Sequence, residues 1–355
     1  MFSKIKDFLS AKKNARYISF ALVIVSYLVV EGLMRTGKLS SLFTALLVPV
    51  CCYIVAAIGL NLNVGISGEL NLGQAGFMSA GAFSGVVVSA LLTDVIQQPI
   101  IRLIIAILCG AIVAALFGYL IGIPVLKLQG DYLAIVTLAF GQIIMSLMNN
   151  IYLGIDDRGF QFSFATNTLE LNESGRVLLS GPMGANGTQR IATFTIGVLL
   201  VVVALLIVYN IMDSRSGRAI MAARDNRIAA ESIGIHISST KMLAFVTSAA
   251  LAGAAGALYG LNYATLVPQK FDFNTSILLL VYVVLGGLGN MSGTIIATTL
   301  LLLLPEMLRG LQDYRMLIYA IVLILIMLVS NNENLKNQFN ALKGKFKKKG
   351  VSENA

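Results

Sequence analysis

The chain is 355 residues long, 57% hydrophobic and 12% charged, with a formal net charge of +9. Soluble domains hold about 45–50% apolar and about 25% charged residues, so this composition and the mean hydropathy of +0.83 exclude an ordinary soluble enzyme and place the bulk of the chain in a membrane. The positive balance does not indicate nucleic acid, because the basic residues gather in the two tails and one loop instead of covering a folded basic domain.

A bilayer core about 30 Å thick takes roughly 20 apolar residues per helical span. Residues 1–16 form a basic tail, and the apolar run after it is long and lacks a small-residue cleavage pattern, so it reads as a retained first helix. Apolar runs bounded by charge, Pro or Gly predict spans over 17–36, 40–60, 74–92, 100–122, 131–150, 191–212, 242–264, 276–289, 293–309 and 314–330. The expected fold class is an all-α polytopic transmembrane bundle of about ten spans, or eight if 74–92 and 276–289 are re-entrant. Residues 17–330 make up the membrane domain, and 331–355 a lysine-rich second tail. Cys51, Cys52 and Cys109 all fall inside apolar runs without CxxC spacing, which points to packing and not to a disulfide or metal site.

Charge orients the bundle. The first tail carries five Lys and Arg, the loop 213–242 five and the last tail six, and Lys127 shares their face; these 17 of 26 basic residues mark the cytoplasmic side. Both termini are then cytoplasmic, and the polar loop 151–190, with three basic residues, is extracytoplasmic. Spans 40–60 through 131–150 and 242–264 through 314–330 form two groups of four with opposite orientation, the layout of an inverted-topology repeat.

No catalytic set emerges along the chain. His236 has no second His or Cys at ligand spacing, so no metal is expected. The stretch GLMRTGKL at 32–39 imitates a phosphate loop but offers Leu39 where Ser or Thr must hold Mg²⁺, and it ends a span instead of joining a strand to a helix. The segment GLNLNVGISGELNLGQAGFMSAGAF (59–83) is more informative, because glycines and Asn61, Asn63, Ser67, Glu69, Asn71 and Gln74 interrupt an apolar run. Irregular backbone persists in lipid only where protein buries it or water lines it. Two readings follow: close helix packing with interhelical hydrogen bonds, or the lining of a translocation pathway. Gly286, Gly287 and Gly289 in GGLGNMSG (286–293) predict a broken helix whose N–H groups can meet a carboxylate. The glycine clusters at 81–85, 118–122 and 253–260 predict close helix approach.

Residues 218–233 are alanine-rich and free of Pro and Gly, predicting one short helix. Gly234 is placed to close it with a left-handed cap, and Ser238 or Ser239 to start the next span. Alanines on one face let another protein approach, with Arg224, Asp225, Arg227 and Glu231 supplying polar contacts at the rim; a solvated connector is the other reading.

Four blocks in order, GDYLAIVTLAFGQII (130–144), GRAIMAARDNRIAAESIGIHISSTKMLAF (217–245), LAGAAGALYG (251–260) and SILLLVYVVLGGLGNMSGTIIATTLLLLLPEMLR (276–309), resemble the membrane subunit of branched-chain amino acid ABC importers, the LivM type. The resemblance runs from about residue 50 to 330. It implies a permease in the bacterial cytoplasmic membrane that translocates Leu, Ile or Val delivered by an extracytoplasmic binding protein. The implied partners are two ABC ATPase subunits holding ATP and Mg²⁺, a second related permease subunit and membrane lipid; this chain itself binds no cofactor. Such permeases dock their ATPase through a loop of E-A-A-x-x-x-G type, matched here by Ile228, Ala229, Ala230 and Gly234 without the leading Glu. The implied coupling residues are Arg224, Arg227, Ile228, Ala229, Ala230, Glu231 and Gly234; the candidate pathway residues remain those read from the breaks, the polar set of 61–74 with the three glycines of 286–289. Alternatives are the same machinery with urea or nucleoside as cargo, or an ion-coupled secondary transporter. Against the last, no acid sits mid-span, since Glu31, Glu69 and Glu306 lie near span ends.

Overall fold

The computed structural model describes residues 2–308 apart from 38–39, 94, 129, 157–158 and 167–174, together with 317–318, 320–321 and 324. One compact unit extends to Thr299, and a second begins at Leu300. Seven described helices contain a stretch long and apolar enough to cross a membrane. They are α1 (Phe2–Arg35), α2 (Ser41–Asn61), α3 (Gln74–Leu91), α4 (Pro99–Val125), α5 (Asp131–Asn149), α6 (Phe194–Asp213) and α9 (Ile237–Gly260). Two short helices, α7 (Arg215–Asp225) and α8 (Arg227–Ser232), lie between the last two. Of two further helices, α10 (Phe273–Gly286, 14 residues) is shorter than a straight crossing needs, and α11 (Met291–Met307, 17 residues) is at the lower limit. The span expected at 314–330 lies outside the described residues except at five positions, and with it the last member of the second repeat group; the tail 331–355 lies wholly outside them.

The centre of the bundle is built from α3, α4 and α9. Lipid tails are as apolar as side chains, so membrane helices gain by close contact rather than by escape from water. A Cβ at Gly81 of α3 would stand 2.2 Å from the Gly253 carbonyl oxygen of α9, and one at Gly256 would stand 1.9 Å from the Met78 oxygen. The backbones touch there because nothing projects between them. On α4, Leu103, Ala106, Gly110, Ala114 and Gly118 face inward, whereas Ile104, Leu108, Ile112 and Leu116 form an exposed stripe at four-residue spacing. Helix α1 runs along the outside, with Ile24, Val25, Leu28 and Val29 exposed. It is held by polar ties: Ser19 Oγ lies 2.7 Å from the Tyr209 hydroxyl and 2.8 Å from Ser292 Oγ, and Arg16 pairs with Asp213 at 3.1 Å.

The bundle is not purely helical. The region expected as a polar loop at 151–190 forms an antiparallel sheet of β1 (Ile151–Asp156), β2 (Gly159–Phe164) and β3 (Arg176–Ser180), in the order β2-β1-β3. A second pair joins β4 (Ala185–Asn186) to β5 (Thr265–Leu266). Phe160, Phe162 and Phe164 alternate with Gln161 and Ser163, the period-2 pattern of a strand. From this end α6 carries the chain to the other, where α7 and α8 lie.

Those two helices correct the expectation of a single one. Asn226 takes an extended backbone (φ −152°, ψ 105°) and separates α7 from α8. Its side-chain oxygen accepts from the Ala229 amide at 3.0 Å, so the residue that ends one helix caps the next. Gly234 closes α8 at φ +85°, with its amide donating to Glu231 O and that of Ile235 to Ala230 O, each at 3.0 Å. This pair of bonds is the Schellman motif, which needs a left-handed residue. The following helix starts at Ile237 with His236 in the capping position, not at Ser238 or Ser239, and His236 makes no side-chain capping bond.

Candidate functional site

Helix α2 does not simply end at the edge of its apolar run. It widens into a π-helical turn over Leu62–Ser67 and closes on Gly68 (φ +75°). The chain then has no regular structure until α3 starts at Gln74. Asn61, Asn63, Ser67, Asn71 and Gln74 are all buried, and Glu69 is nearly so. Their partners divide them.

Asn61 Nδ2 donates to Thr294 Oγ1 at 2.8 Å, and its Oδ1 accepts from the Gly289 amide at 2.8 Å. The turn between α10 and α11 therefore offers its N–H to an amide side chain, where a carboxylate was expected. Gly287 and Gly289 have φ of +93° and +79°, and Gly286 meets the first turn of α11. A Cβ at Gly65 would lie 2.0 Å from Asn61 Oδ1 and 2.3 Å from Gly289 N, so the π-turn and the glycine turn sit backbone against backbone. Asn71 Oδ1 accepts from Gly73 N at 2.9 Å, and its Nδ2 donates to Gln74 Oε1 at 3.2 Å. Gln74 Nε2 reaches Ala56 O at 3.2 Å and Ser248 O at 3.3 Å, tying α3 to α2 and α9. Thr137 Oγ1 accepts from Leu72 N at 3.0 Å in the irregular stretch, and Ser276 Oγ accepts from Ala75 N at 3.1 Å in the first turn of α3. Asn61, Asn71 and Gln74 thus act as packing ties.

Asn63 and Ser67 are different. Both amide atoms of Asn63 and the Ser67 hydroxyl are buried without a hydrogen-bond partner among the described residues. An unsatisfied buried polar group costs about 1–3 kcal/mol. The contrast sets an expectation: Asn71→Leu destabilises the protein by about 1–3 kcal/mol because it leaves the Gly73 amide unpaired, whereas Asn63→Leu leaves the unfolding temperature unchanged or raised. Thermal unfolding of the two detergent-solubilised variants measures the difference, and equal losses in both would show that Asn63 has a structural partner.

The irregular stretch is also where α7 meets the bundle. Arg224 Nη1 donates to Gly65 O at 2.8 Å, and its Nε and Nη2 fork onto Asp225 Oδ1 at 3.1 and 3.0 Å. A Cβ at Gly68 would stand 2.6 Å from Arg224 Cγ, so the glycine leaves room for the arginine stem. Lys241 of α9 pairs with Glu69. Two groups of residues about 160 positions apart in the chain are therefore in contact, and Arg224, itself still exposed, ties α7 to the bundle. Ala230 likewise turns inward, buried with Ala223, Ile237 and the partly buried Ile235. What α8 presents outward is Ala229, an Arg227–Glu231 ion pair at 3.2 Å, and Ile228; with Ile233 just beyond its end, two isoleucines stand 82% and 75% exposed.

Over residues 42–327 the chain matches the family described as branched-chain amino acid transport system / permease component. It belongs to this permease family. Among its relatives, the high-affinity branched-chain amino acid transport system permease protein LivM of Salmonella typhimurium is 34% identical over 289 residues, which are 78% of this chain and 66% of the relative. The match thus spans slightly less than two thirds of that relative's length. The fructose import permease protein FruG of Bifidobacterium longum is 23% identical over 80% of this chain and 79% of its own. The nucleoside ABC transporter permease protein NupC of Lactococcus lactis subsp. cremoris is 27% identical over 54% of this chain and 58% of its own. No solved structure matches the chain significantly.

In the permease, the phosphate-loop imitation at Gly32 sits inside α1, and Gly37 (φ +66°) ends that helix, with Lys38 and Leu39 outside the described residues. Among the described residues no three His, Cys, Asp or Glu side chains gather as a metal site. Ile233 is the exposed residue beside α8 that sequence reasoning passed over as a site residue. The signal was present, since it stands five positions after Ile228 and next to the glycine cap, an odd place for an aliphatic residue on a solvated helix.

Proposed function

We propose that the chain is the membrane-spanning subunit of an ABC importer for Leu, Ile and Val, set in a bacterial cytoplasmic membrane with α7 and α8 on the cytoplasmic side. Two partner ATPase subunits carry ATP and Mg²⁺, a binding protein delivers the solute at the sheet end, and a second related permease completes the pathway. One observation carries this reading: α8 and its cap hold two isoleucines outward, while Arg224 at the end of α7 is bonded to the backbone of the broken span. Contiguous apolar surface outside lipid marks contact with another protein, and the two isoleucines are read as part of such a surface. A push on α8 passes through the packed Ala223–Ala230–Ile237 cluster to α7 and, through Arg224, to Gly65. Packed helices move as bodies, so this path supports rocking of one part of the bundle against another. Asn63 and Ser67, polar and unsatisfied on the same π-turn, are the groups left to meet water or a solute when that motion opens the bundle. Glu69, neutralised by Lys241, gives little support to ion-coupled transport.

Proteoliposomes holding this chain, its partner permease, the ATPase pair and the binding protein test the proposal. Labelled leucine is expected to accumulate only with ATP, and nucleoside, urea and fructose are expected to give no uptake. Uptake in vesicles that lack the ATPase subunits would refute ATP-driven import, and nucleoside uptake in place of leucine would change the cargo. Replacing both isoleucines, Ile228→Asp with Ile233→Asp, is expected to weaken capture of the ATPase about tenfold or more, the loss of roughly 1.4 kcal/mol or above. Capture equal to wild type would remove α8 from the docking surface.

A further inference from the structure

At the sheet end a cavity of about 350 Å³ opens between the last turn of α3, strand β3, the turn after β4 and Leu261. Its size falls in the range of small-molecule pockets, about 300–1,000 Å³. Val86, Ala90, Leu178 and Leu261 give it an apolar wall. Arg176 and Gln189 give it a polar one, and the described lining residues include no carboxylate.

The polar wall is built from behind. Arg102, on α4, is 4% exposed and donates through Nη2 to Gln189 Oε1, while its Nε is buried without a partner among the described residues. Among the described residues no carboxylate pairs with Arg102 or with Arg176. With its oxygen held by Arg102, Gln189 has its NH₂ group left to donate. The cavity therefore combines the exposed Arg176 guanidinium and an amide donor, a buried positive charge behind Gln189, and aliphatic side chains. Among the described residues neither guanidinium has a counter-ion, an unfavourable state for the buried one, and the cavity beside Gln189 accordingly favours an anion.

We propose that this cavity is an entry site that receives a small aliphatic amino acid by its carboxylate, with Arg176 and Gln189 at the charged end and Val86, Ala90, Leu178 and Leu261 around the side chain. The site rests on the permease reading, since it lies at the end remote from α7 and α8, where a solute first reaches the bundle. It adds a recognition step that belongs to this chain and not to the binding protein.

The test uses the full permease–ATPase complex in lipid nanodiscs, without binding protein and without ATP. Three probes are titrated: leucine, 4-methylpentanoate, which keeps the carboxylate but not the amine, and leucinamide, which lacks the carboxylate. Leucine and 4-methylpentanoate are expected to bind, and leucinamide to bind at least tenfold more weakly. Arg176→Gln, at an exposed position that does not threaten folding, is expected to weaken leucine binding about tenfold, as loss of one charge-assisted hydrogen bond predicts. Ala90→Phe, which fills the cavity, is expected to abolish binding while a thermal unfolding trace confirms that the bundle is intact. The site is overturned if leucinamide binds as tightly as leucine, if neither substitution changes affinity, or if the complex binds no leucine. It is equally overturned if Arg176→Gln weakens only capture of the binding protein, which would make the cavity a docking surface. Failure here is separable from failure of the import reading, because ATP-driven leucine uptake by the wild-type assembly is measured independently.

Discussion

Gly81→Val is expected to leave almost no folded permease in the membrane. The Cβ added at Gly81 would lie 2.2 Å from the carbonyl oxygen and 2.3 Å from the Cα of Gly253. Both are backbone atoms in the middle of α9, so no rotamer change relieves the overlap, and α3 must move away from α9. That separation also loosens Gly256 against Met78 and Gly110 against the Gly253 carbonyl, because α3, α4 and α9 share one seam. Overpacking of a well-filled core costs about 1–3 kcal/mol where side chains can yield. Where backbone meets backbone the loss should exceed about 3 kcal/mol, a large share of the roughly 5–15 kcal/mol typical of folded proteins. Gly32→Val is the matched control: Gly32 also lies within a helix, and a Cβ there meets nothing within 4 Å. Size-exclusion profiles and unfolding temperatures of the two solubilised variants are expected to separate clearly. A Gly81→Val protein as abundant and as stable as Gly32→Val would show that the seam is looser than these contacts require.

The second large effect is expected at Gly234, and on uptake rather than folding. Gly234 has φ +85°, whereas proline is held near about −65°. Proline also removes the amide that donates to Glu231 O. The neighbouring bond from Ile235 to Ala230 depends on the same turn, so both ties that close α8 are lost together. A helix of six residues has little stability of its own and relies on its caps and its packing. Gly234 itself is exposed, and a Cβ added there would meet nothing within 4 Å, so the bundle above it is not disturbed sterically. Gly234→Pro is therefore expected to fold and insert normally while ATP-driven uptake falls to background. Gly234→Ala, strained by about 1–2 kcal/mol in the left-handed region, should retain part of the uptake. Normal uptake by the proline variant would remove α8 from the coupling path.

Much of this architecture is legible in residue order because its causes are local. Apolar runs of about 20 residues locate the long helices to within about five positions, since a bilayer forces each span to satisfy its own backbone; the exception is α1, which begins at Phe2 and takes in the stretch expected as a tail. Gly234 is legible as a cap because the left-handed turn selects glycine wherever it occurs. The strands at 151–164 carry a readable sign as well, in the alternation of Phe160, Phe162 and Phe164, but it is masked by the polar composition of the surrounding loop. The break at Asn226 is harder to read, because Asn is a modest helix former that becomes a cap only when the Ala229 amide is left free to meet it.

Sequence alone determined that this is a membrane bundle, where its seven long apolar helices lie, and that polar residues cluster after α2, because composition and periodicity answer to the solvent and not to distant partners. Only the tertiary structure decided what each polar residue does. Asn61, Asn71 and Gln74 resemble Asn63 and Ser67 in the chain, yet the first three are tied to Gly289, Gly73 and Ser248 while the side chains of the last two meet no partner among the described residues. Arg224 reads as a surface charge and is one, but only the structure shows that α7 brings it within 2.8 Å of the Gly65 carbonyl. The reason is that a hydrogen bond depends on geometry of a few tenths of an ångström between groups remote in sequence, and no local pattern records where the chain will place them.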